Sequence, residues 1–291
     1  MKVFSQNGWR SLQHPQSWLL AIAGGIAAIH LSLSWRSNAD LNQLCLSLLC
    51  WFAVATLLWE KRHNLILQSD IFSSLLGFIL LGFVLLRSLW MTSFDNLFHF
   101  TPFIAALGLA LIASGVRQLH QYWREILLIF AFSIPVEILI NRIGILAFYT
   151  ANFASVILTY LGVEYHREGV NIILANRKAV EVAAGCSGWE SIFPLLKLSV
   201  LFLVMFPTKI IQKILVPLAA VAIAFVVNGM RVAILAILHA YTSEATFKYW
   251  HVGTGSQVFF LTSALLFGGF CYFTSQNSSS AGSDKRELSE L

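Results

Sequence analysis

Residues 71–90 read IFSSLLGFILLGFVLLRSLW, a run in which Arg87 is the one charged side chain. An α-helix needs about 20 mostly apolar residues to cross the hydrocarbon core of a bilayer. Trp90 ends the run, and tryptophan favours the interface between lipid and water. This stretch therefore predicts a transmembrane helix, and its pattern recurs along the rest of the chain.

The composition of the whole chain leads to the same class of protein. Of 291 residues, 57% are hydrophobic and 11% are charged, and the mean hydropathy is +0.73. A soluble domain carries about 25% charged residues because its surface faces water. The net charge of +5 does not indicate nucleic-acid binding, because Lys and Arg are scattered in short links and form no basic patch. We expect a protein whose surface faces lipid and whose partners include no nucleic acid.

The apolar runs predict an all-α membrane protein, a polytopic bundle of about eight transmembrane helices. The predicted spans are residues 17–35, 41–59, 71–90, 98–116, 124–140, 190–206, 214–239 and 254–274. The segment 275–291 is rich in Ser and charged residues, so we expect a disordered tail. Residues 1–274 then form a single transmembrane domain.

Residues 141–162 are apolar enough to span the bilayer, but polar side chains interrupt them. With the N-terminus in the cytoplasm, the positive-inside rule places most Lys and Arg links inside. If residues 141–162 crossed the membrane, Lys209 and Lys213 would move outside. We therefore expect an interfacial helix in the outer leaflet.

The next segment predicts a small extracytoplasmic β-hairpin, which with the interfacial helix covers about residues 141–185. Apolar residues alternate at Val170, Ile172 and Leu174, and again at Val180 and Val182. Residues 176–178, between these two runs, are suited to a turn.

Several catalytic classes lack the residues that they require. The four aspartates, which fall at helix ends or in the tail, are Asp40, Asp70, Asp95 and Asp284. An aspartyl intramembrane protease needs two carboxylates inside the bilayer, so that class is excluded. The sequence also contains no His-Glu-x-x-His zinc site, no Walker phosphate loop and no Gly-x-Ser-x-Gly elbow.

Residues 183–189, AAGCSGW, are the strongest candidate for a reactive site. Small residues on both sides of Cys186 leave room for the backbone of a substrate. A helix that begins here directs N–H groups and its positive dipole end toward the sulfur, which lowers the pKa of a thiol and can hold an oxyanion. The alternative is that Cys186 is inert or forms a disulfide with Cys45.

Two further candidates lie later in the chain. Asn228 and Arg231 are three residues apart on one face of the seventh span, and an Arg inside a span marks a functional site unless it snorkels to the headgroups. His251 lies in the short outer link before the last span and is a candidate base, although a lone interfacial histidine beside Trp is more often an ordinary surface residue. The topology places Cys186, Arg231 and His251 near the outer leaflet.

These motifs resemble the exosortase/archaeosortase group of membrane transpeptidases, and among them the cyanobacterial branch, the cyanoexosortases. The resemblance covers about residues 134–270 and rests on residues 182–188 (VAAGCSG), residues 228–231 (NGMR), and His251 followed by Gly253 and Gly255. The chain departs from the pattern at Trp189 and Glu190, where many members carry Leu or Ile and then Arg. That departure concerns the local contacts with a substrate.

The resemblance implies that residues 1–274 are a membrane-embedded cysteine protease or transpeptidase. Its site would face the extracytoplasmic side of the inner (plasma) membrane, and it would require no metal or organic cofactor. Substrates would be exported proteins with a C-terminal sorting tail: a Pro-Glu-Pro-like motif, a hydrophobic span and a basic end. The acceptor would be a membrane lipid or a glycan.

The resemblance also implies a role for each site residue. Cys186 would attack the scissile carbonyl and form a thioester, with His251 as base and then acid. Arg231 would stabilise the oxyanion, and Asn228 would hold Arg231 in place. Ser187 and Gly188 would support the thiol.

Two other classes of function remain open. In a polysaccharide or lipid transporter or assembly subunit, Arg231, Lys197 and Glu137 would line a path through the membrane. In a structural membrane scaffold, Cys186 would be disulfide-bonded.

Overall fold

The computed structural model describes residues 15–38, 41–89, 96–135, 145–174 and 178–287. The described chain is mostly helical and divides into two compact units, Met1–Pro135 and Val136–Leu291.

The first unit consists of helices. They are α1 (Pro15–Asn38), α2 (Leu41–Lys61), α3 (Ile71–Leu89), α4 (Asn96–Ser114), a 3-10 segment (Val116–Tyr122) and α5 (Trp123–Ser133). Gly77 on α3 and Gly108 on α4 let these two backbones approach closely. A β-carbon on Gly77 would lie 2.6 Å from the carbonyl oxygen of Gly108. Small residues allow such approach between membrane helices, where lipid supplies no hydrophobic force to bring helices together.

A buried ion pair joins α2 to α5. Lys61 Nζ lies 2.7 Å from Glu125 Oε2 and also donates to the carbonyl of Gln121. The Glu125 side chain is 5% exposed. A carboxylate this buried requires a cation beside it, so the pair fixes where the two helices meet.

The second unit combines helices with a small sheet. Its elements are α6 (Ile145–Tyr160), β1 (Tyr165–Glu168), β2 (Asn171–Leu174), β3 (Ala179–Glu181), a 3-10 turn (Ala184–Cys186), α7 (Trp189–Met205), α8 (Ile210–Tyr241), α9 (Glu244–His251), a second 3-10 turn (Thr254–Ser256) and α10 (Gln257–Glu287).

The sheet has three antiparallel strands in the order β1-β2-β3, where a two-stranded hairpin was expected. Ile172 pairs with both Arg167 and Val180. The additional strand, β1, is mostly polar, so alternation of apolar residues did not reveal it. Ile172, Leu174 and Val182 are buried in one cluster with small residues of α6 and α8. This packing places the end of β3 beside α8.

Within the ranges that the structure describes, five helical segments are long and apolar enough to cross a membrane. They are Leu19–Arg36, Leu41–Lys61, Ile71–Leu89, Ile210–Tyr241 and Thr254–Gln276. Two shorter apolar helices are His99–Ser114 and Ile145–Tyr160. A helix of 16 residues is about 24 Å long, less than the roughly 30 Å core of a bilayer. The count of eight spans and the interfacial position of residues 141–162 therefore stay predictions.

Two other predictions concern the C-terminal segment 275–291 and Glu137. α10 continues as a helix through Glu287, into the segment for which a disordered tail was expected. No proline interrupts residues 275–287, so the helix has no steric reason to end there. Glu137 lies outside the described residues.

Candidate functional site

Cys186 is the last residue of the 3-10 turn that leads from β3 toward α7. Its backbone N–H donates to the carbonyl of Ala183 at 2.9 Å. Gly188 immediately precedes α7 and has a φ of +110°, which L side chains rarely adopt. The Gly at this position thus allows the chain to turn from the cysteine into the helix.

Two buried side chains hold the backbone of this turn. Asn228 Nδ2 on α8 donates to the carbonyl of Cys186 at 3.0 Å, and Thr150 Oγ1 on α6 donates to the carbonyl of Ser187 at 2.7 Å. Asn228 is 1% exposed and Thr150 is fully buried. Asn228, which was expected to position Arg231, instead contacts the cysteine, because its amide lies directly against the turn. Thr150 was not among the predicted site residues, although a hydroxyl in an apolar helix needs a partner.

The thiol of Cys186 meets the imidazole of His251. Their Sγ and Nε2 atoms are 3.5 Å apart, within hydrogen-bonding distance for sulfur. His251 is the last residue of α9, a helix whose N-terminus is capped by Ser243 accepting from the N–H of Thr246 at 3.2 Å. The imidazole stacks on Phe247, with ring centroids 5.0 Å apart and an interplanar angle of 23°.

Arg231 contacts the same histidine through the backbone. Its Nη2 donates to the carbonyl of His251 at 3.1 Å, which joins α8 to the end of α9. Its Nε is buried and has no hydrogen-bond partner within the described residues. Cys186, Arg231 and His251, which are far apart in sequence, therefore lie in one cluster, and the guanidinium has a donor still available.

The electrostatics of the cluster differ from the expectation for the thiol. Burial raises the pKa of Cys186; the charge of Arg231 opposes this rise and that of Glu190 adds to it. The expected helix dipole does not lower the pKa overall, because α7 begins three residues later and the thiol is partly withdrawn from water. Burial and Arg231 together lower the pKa of His251. At neutral pH the pair is therefore an uncharged thiol beside an uncharged imidazole.

The four cysteines all lie in the described ranges and are free thiols. Cys186 therefore forms no disulfide within the described residues. In the same ranges, no group of three or more His, Cys, Asp or Glu side chains is placed to hold a metal ion.

A cavity of about 220 Å³ lies beside the thiol and the imidazole. Its walls come from β3 and the residue after it, from α8, from α9 and from Cys186. The lining residues are Ala179, Val180, Glu181, Val182, Cys186, Val232, Leu235, His239, Phe247 and His251. Most of the lining residues are apolar, and the His251 imidazole lies beside the sulfur, an arrangement typical of a ligand site.

A thiol within hydrogen-bonding distance of an imidazole, in a chain with helices long enough to span a membrane, is the arrangement expected of a membrane cysteine enzyme. Residues 35–268 match the family described as Transmembrane exosortase (Exosortase_EpsH), and the chain belongs to this family. Its members are in general cysteine transpeptidases that act on exported proteins carrying sorting signals. The chain is accordingly a multi-pass membrane protein. No curated protein and no solved structure shows a significant match to it.

Proposed function

We propose that this protein cleaves the C-terminal sorting tails of exported proteins through a thioester, with Cys186 as nucleophile, His251 as base and Arg231 as oxyanion donor. The observation that supports this most directly is the 3.5 Å separation between Cys186 Sγ and His251 Nε2. A nucleophile within hydrogen-bonding reach of a base is the arrangement that covalent catalysis requires.

In the first step, His251 Nε2 accepts the thiol proton while Sγ bonds to the scissile carbonyl carbon. The carbonyl oxygen becomes an oxyanion, and the guanidinium of Arg231 donates to it. A buried Nε without a partner favours this role, because a fixed donor in a site shielded from water stabilises developing charge strongly. The lowered pKa of His251 keeps its imidazole neutral and able to accept the proton.

In the second step, the tetrahedral intermediate collapses and the carbon–nitrogen bond breaks. The leaving amine takes the proton from the imidazolium of His251, and the thioester on Cys186 remains. An acceptor nucleophile then attacks the thioester and gives its proton to His251. The carbon–sulfur bond breaks, and His251 returns the proton to the sulfur, which regenerates the thiol and the neutral imidazole. Water as acceptor gives hydrolysis, and a lipid or glycan hydroxyl or amine gives transfer.

The proposed substrates carry a Pro-Glu-Pro-like motif, a hydrophobic span and a basic end. Such a tail is itself anchored in the bilayer by its hydrophobic span, so its cleavage site lies at the membrane surface. Cys186 and His251 also lie outside the apolar spans. We assign the protein to the inner membrane with the site facing outward, since the Lys- and Arg-rich links then lie in the cytoplasm. The Val180–Val182 lead-in to the cysteine turn supports placing it in the cyanobacterial branch.

The test is co-expression with a tailed substrate, followed by mass spectrometry of the substrate's processed C-terminus. We expect Cys186→Ala to abolish processing, and Cys45→Ala, which alters an exposed thiol elsewhere, to retain it. Unchanged processing by Cys186→Ala would refute the assignment of the nucleophile.

The same experiment separates the enzyme from a transporter or assembly subunit. A transporter would tolerate Cys186→Ala and His251→Ala but lose function on substitution of Lys197, which is 8% exposed on α7. The proposed enzyme requires the opposite ranking.

A further inference from the structure

The outer edge of β3 borders the cavity that contains the thiol. β3 pairs with β2 and has no second strand beside it in the described sheet. Four consecutive residues, Ala179 to Val182, line the cavity. Side chains of successive residues in a strand point to opposite faces, so four in a row can border one cavity when the backbone edge itself faces it.

The hydrogen-bond ladder shows which backbone groups lie on that edge. Val182 N–H donates to Val170 O at 3.1 Å, and Leu174 N–H donates to Lys178 O at 3.0 Å. In an antiparallel pair, inward and outward backbone groups alternate along each strand. The backbone N–H and C=O groups therefore point toward β2 at Lys178, Val180 and Val182. They point outward at Ala179 and Glu181. Within the described residues, these outward groups form no hydrogen bond.

The remaining lining of the cavity is suited to contact an added strand. It includes the apolar residues Val232 and Leu235 of α8 and Phe247 of α9, and the Cys186 thiol and the His251 imidazole also border the cavity. A free strand edge is a template for an extended peptide, because its unpaired backbone groups can complete a ladder.

We propose that the substrate binds as a fourth strand on β3, through the segment that precedes the scissile bond. This inference rests on the proposed function. The tail's hydrophobic span follows the scissile bond and lies in lipid, so the preceding segment is the part that reaches β3. Pairing with Ala179 and Glu181 holds that segment extended and brings its carbonyl to Cys186.

A Pro-Glu-Pro motif is compatible with such pairing. Its two prolines are two positions apart, so their missing N–H groups fall on the same side of an extended chain. The intervening Glu directs its own N–H and C=O to the other side, where β3 lies. The motif thus loses no hydrogen bond to the enzyme through its prolines.

Proline substitutions in β3 test the pairing from the side of the enzyme. Glu181→Pro removes an outward N–H and leaves the bonds to β2 in place, whereas Val180→Pro removes an N–H that faces β2 and serves as the control for damage to the sheet. Glu181→Ala keeps the N–H and removes only the side chain. We expect KM for a synthetic tail peptide to be about fivefold higher for Glu181→Pro than for Glu181→Ala, the effect of one lost hydrogen bond. The two variants should be alkylated at Cys186 at the same rate.

A depsipeptide tests the same pairing without changing the protein. The synthetic tail peptide carries an ester in place of the amide N–H of the motif Glu, and we expect kcat/KM to fall about fivefold. Equal cleavage of the ester and amide peptides, or a KM for Glu181→Pro equal to that for Glu181→Ala, would overturn the pairing. If Glu181→Pro does not fold, the depsipeptide decides the question alone. Cleavage by Cys186→Ala would instead refute the proposed function, so the two failures are distinguishable.

Discussion

Gly188 packs so closely against Asn228 that a β-carbon on the glycine would lie 3.1 Å from Nδ2 of the asparagine. That amide is the group that donates to the carbonyl of Cys186. The glycine also has a φ of +110°. Both its conformation and its neighbour therefore exclude a side chain at this position.

We expect Gly188→Ala to lower the free energy of unfolding by about 1–3 kcal/mol, the strain of a non-glycine residue at such a φ. Displacement of Asn228 should also slow processing and alkylation of Cys186. Thermal unfolding in detergent and alkylation kinetics measure the two effects. The matched control is Gly169→Ala, at a φ of +62° with nothing within 4 Å of the added carbon. This control should leave the thiol unaffected, and normal processing by Gly188→Ala would contradict the prediction.

Thr150→Val should slow turnover more than it weakens substrate binding. The substitution keeps the shape of the side chain and removes the hydroxyl that donates to the carbonyl of Ser187. We expect a loss of about 1 kcal/mol in stability and a lower kcat with KM little changed, because the turn holds the nucleophile. Thr159→Val, on the same helix, removes a hydroxyl bonded to the carbonyl of Ser155 and is the control. Equal effects of the two substitutions would argue against a positioning role.

The dependence of activity on pH should reveal how the charge of Arg231 changes the pKa values of His251 and Cys186. The pKa of His251 lies below its ordinary value of 6.5, so its imidazole stays neutral at pH 6.5 and the acid limb of kcat/KM falls below that pH. Arg231 lowers the pKa of both His251 and Cys186. Removal of its charge in Arg231→Gln should therefore raise both values.

In Arg231→Gln, we expect the acid limb of kcat/KM and the alkaline inflection of Cys186 alkylation both to move to higher pH. Arg231→Lys keeps the charge and should restore the position of both. Profiles that do not shift in Arg231→Gln would show that the guanidinium does not act on the pair.

The ion pair between Lys61 and Glu125 gives a prediction in the other unit. Lys61→Met leaves a carboxylate that is 5% exposed without its cation, which should destabilise the protein by about 3–5 kcal/mol. Adding Glu125→Leu removes the charge and should recover most of that loss. The melting temperature in detergent measures both, with Glu60→Gln on the exposed surface as control. A double variant no more stable than Lys61→Met would show that charge is not the cause.

The membrane class and the participants of the cluster were predictable from sequence because both depend on local chemical signals. Apolar runs reveal helices that can cross a bilayer, and residues such as Arg231 are unusual within them. Cys186 and His251 are 65 positions apart, so no local pattern predicts that they meet. Their pairing was predicted from the order of the motifs along the chain.

Asn228 was predicted as a supporting residue, but its contact with the turn and the part played by Thr150 were not predictable, because they depend on which helices pack together. Thr150 on α6 and Asn228 on α8 reach the turn only after α6 has docked on α8 beside the sheet, and no pattern in either helix specifies that contact. The prediction of a lowered pKa for Cys186 was wrong for the same reason, because burial raises this pKa and burial is a property of the packed structure. β1 was not predicted because its residues are mostly polar.

Phe247 contacts two imidazoles, with its ring centroid 4.7 Å from that of His239 and 5.0 Å from that of His251. A ring held on one face has few orientations open to it, so His251 is fixed with Nε2 toward the sulfur before any peptide arrives. The energy of substrate binding is then not consumed in assembling the pair, and the site is preorganised. A substitution that gave Phe247 more freedom would also let His251 rotate. The contact between its imidazole and the Cys186 thiol would then have to form anew in every turnover.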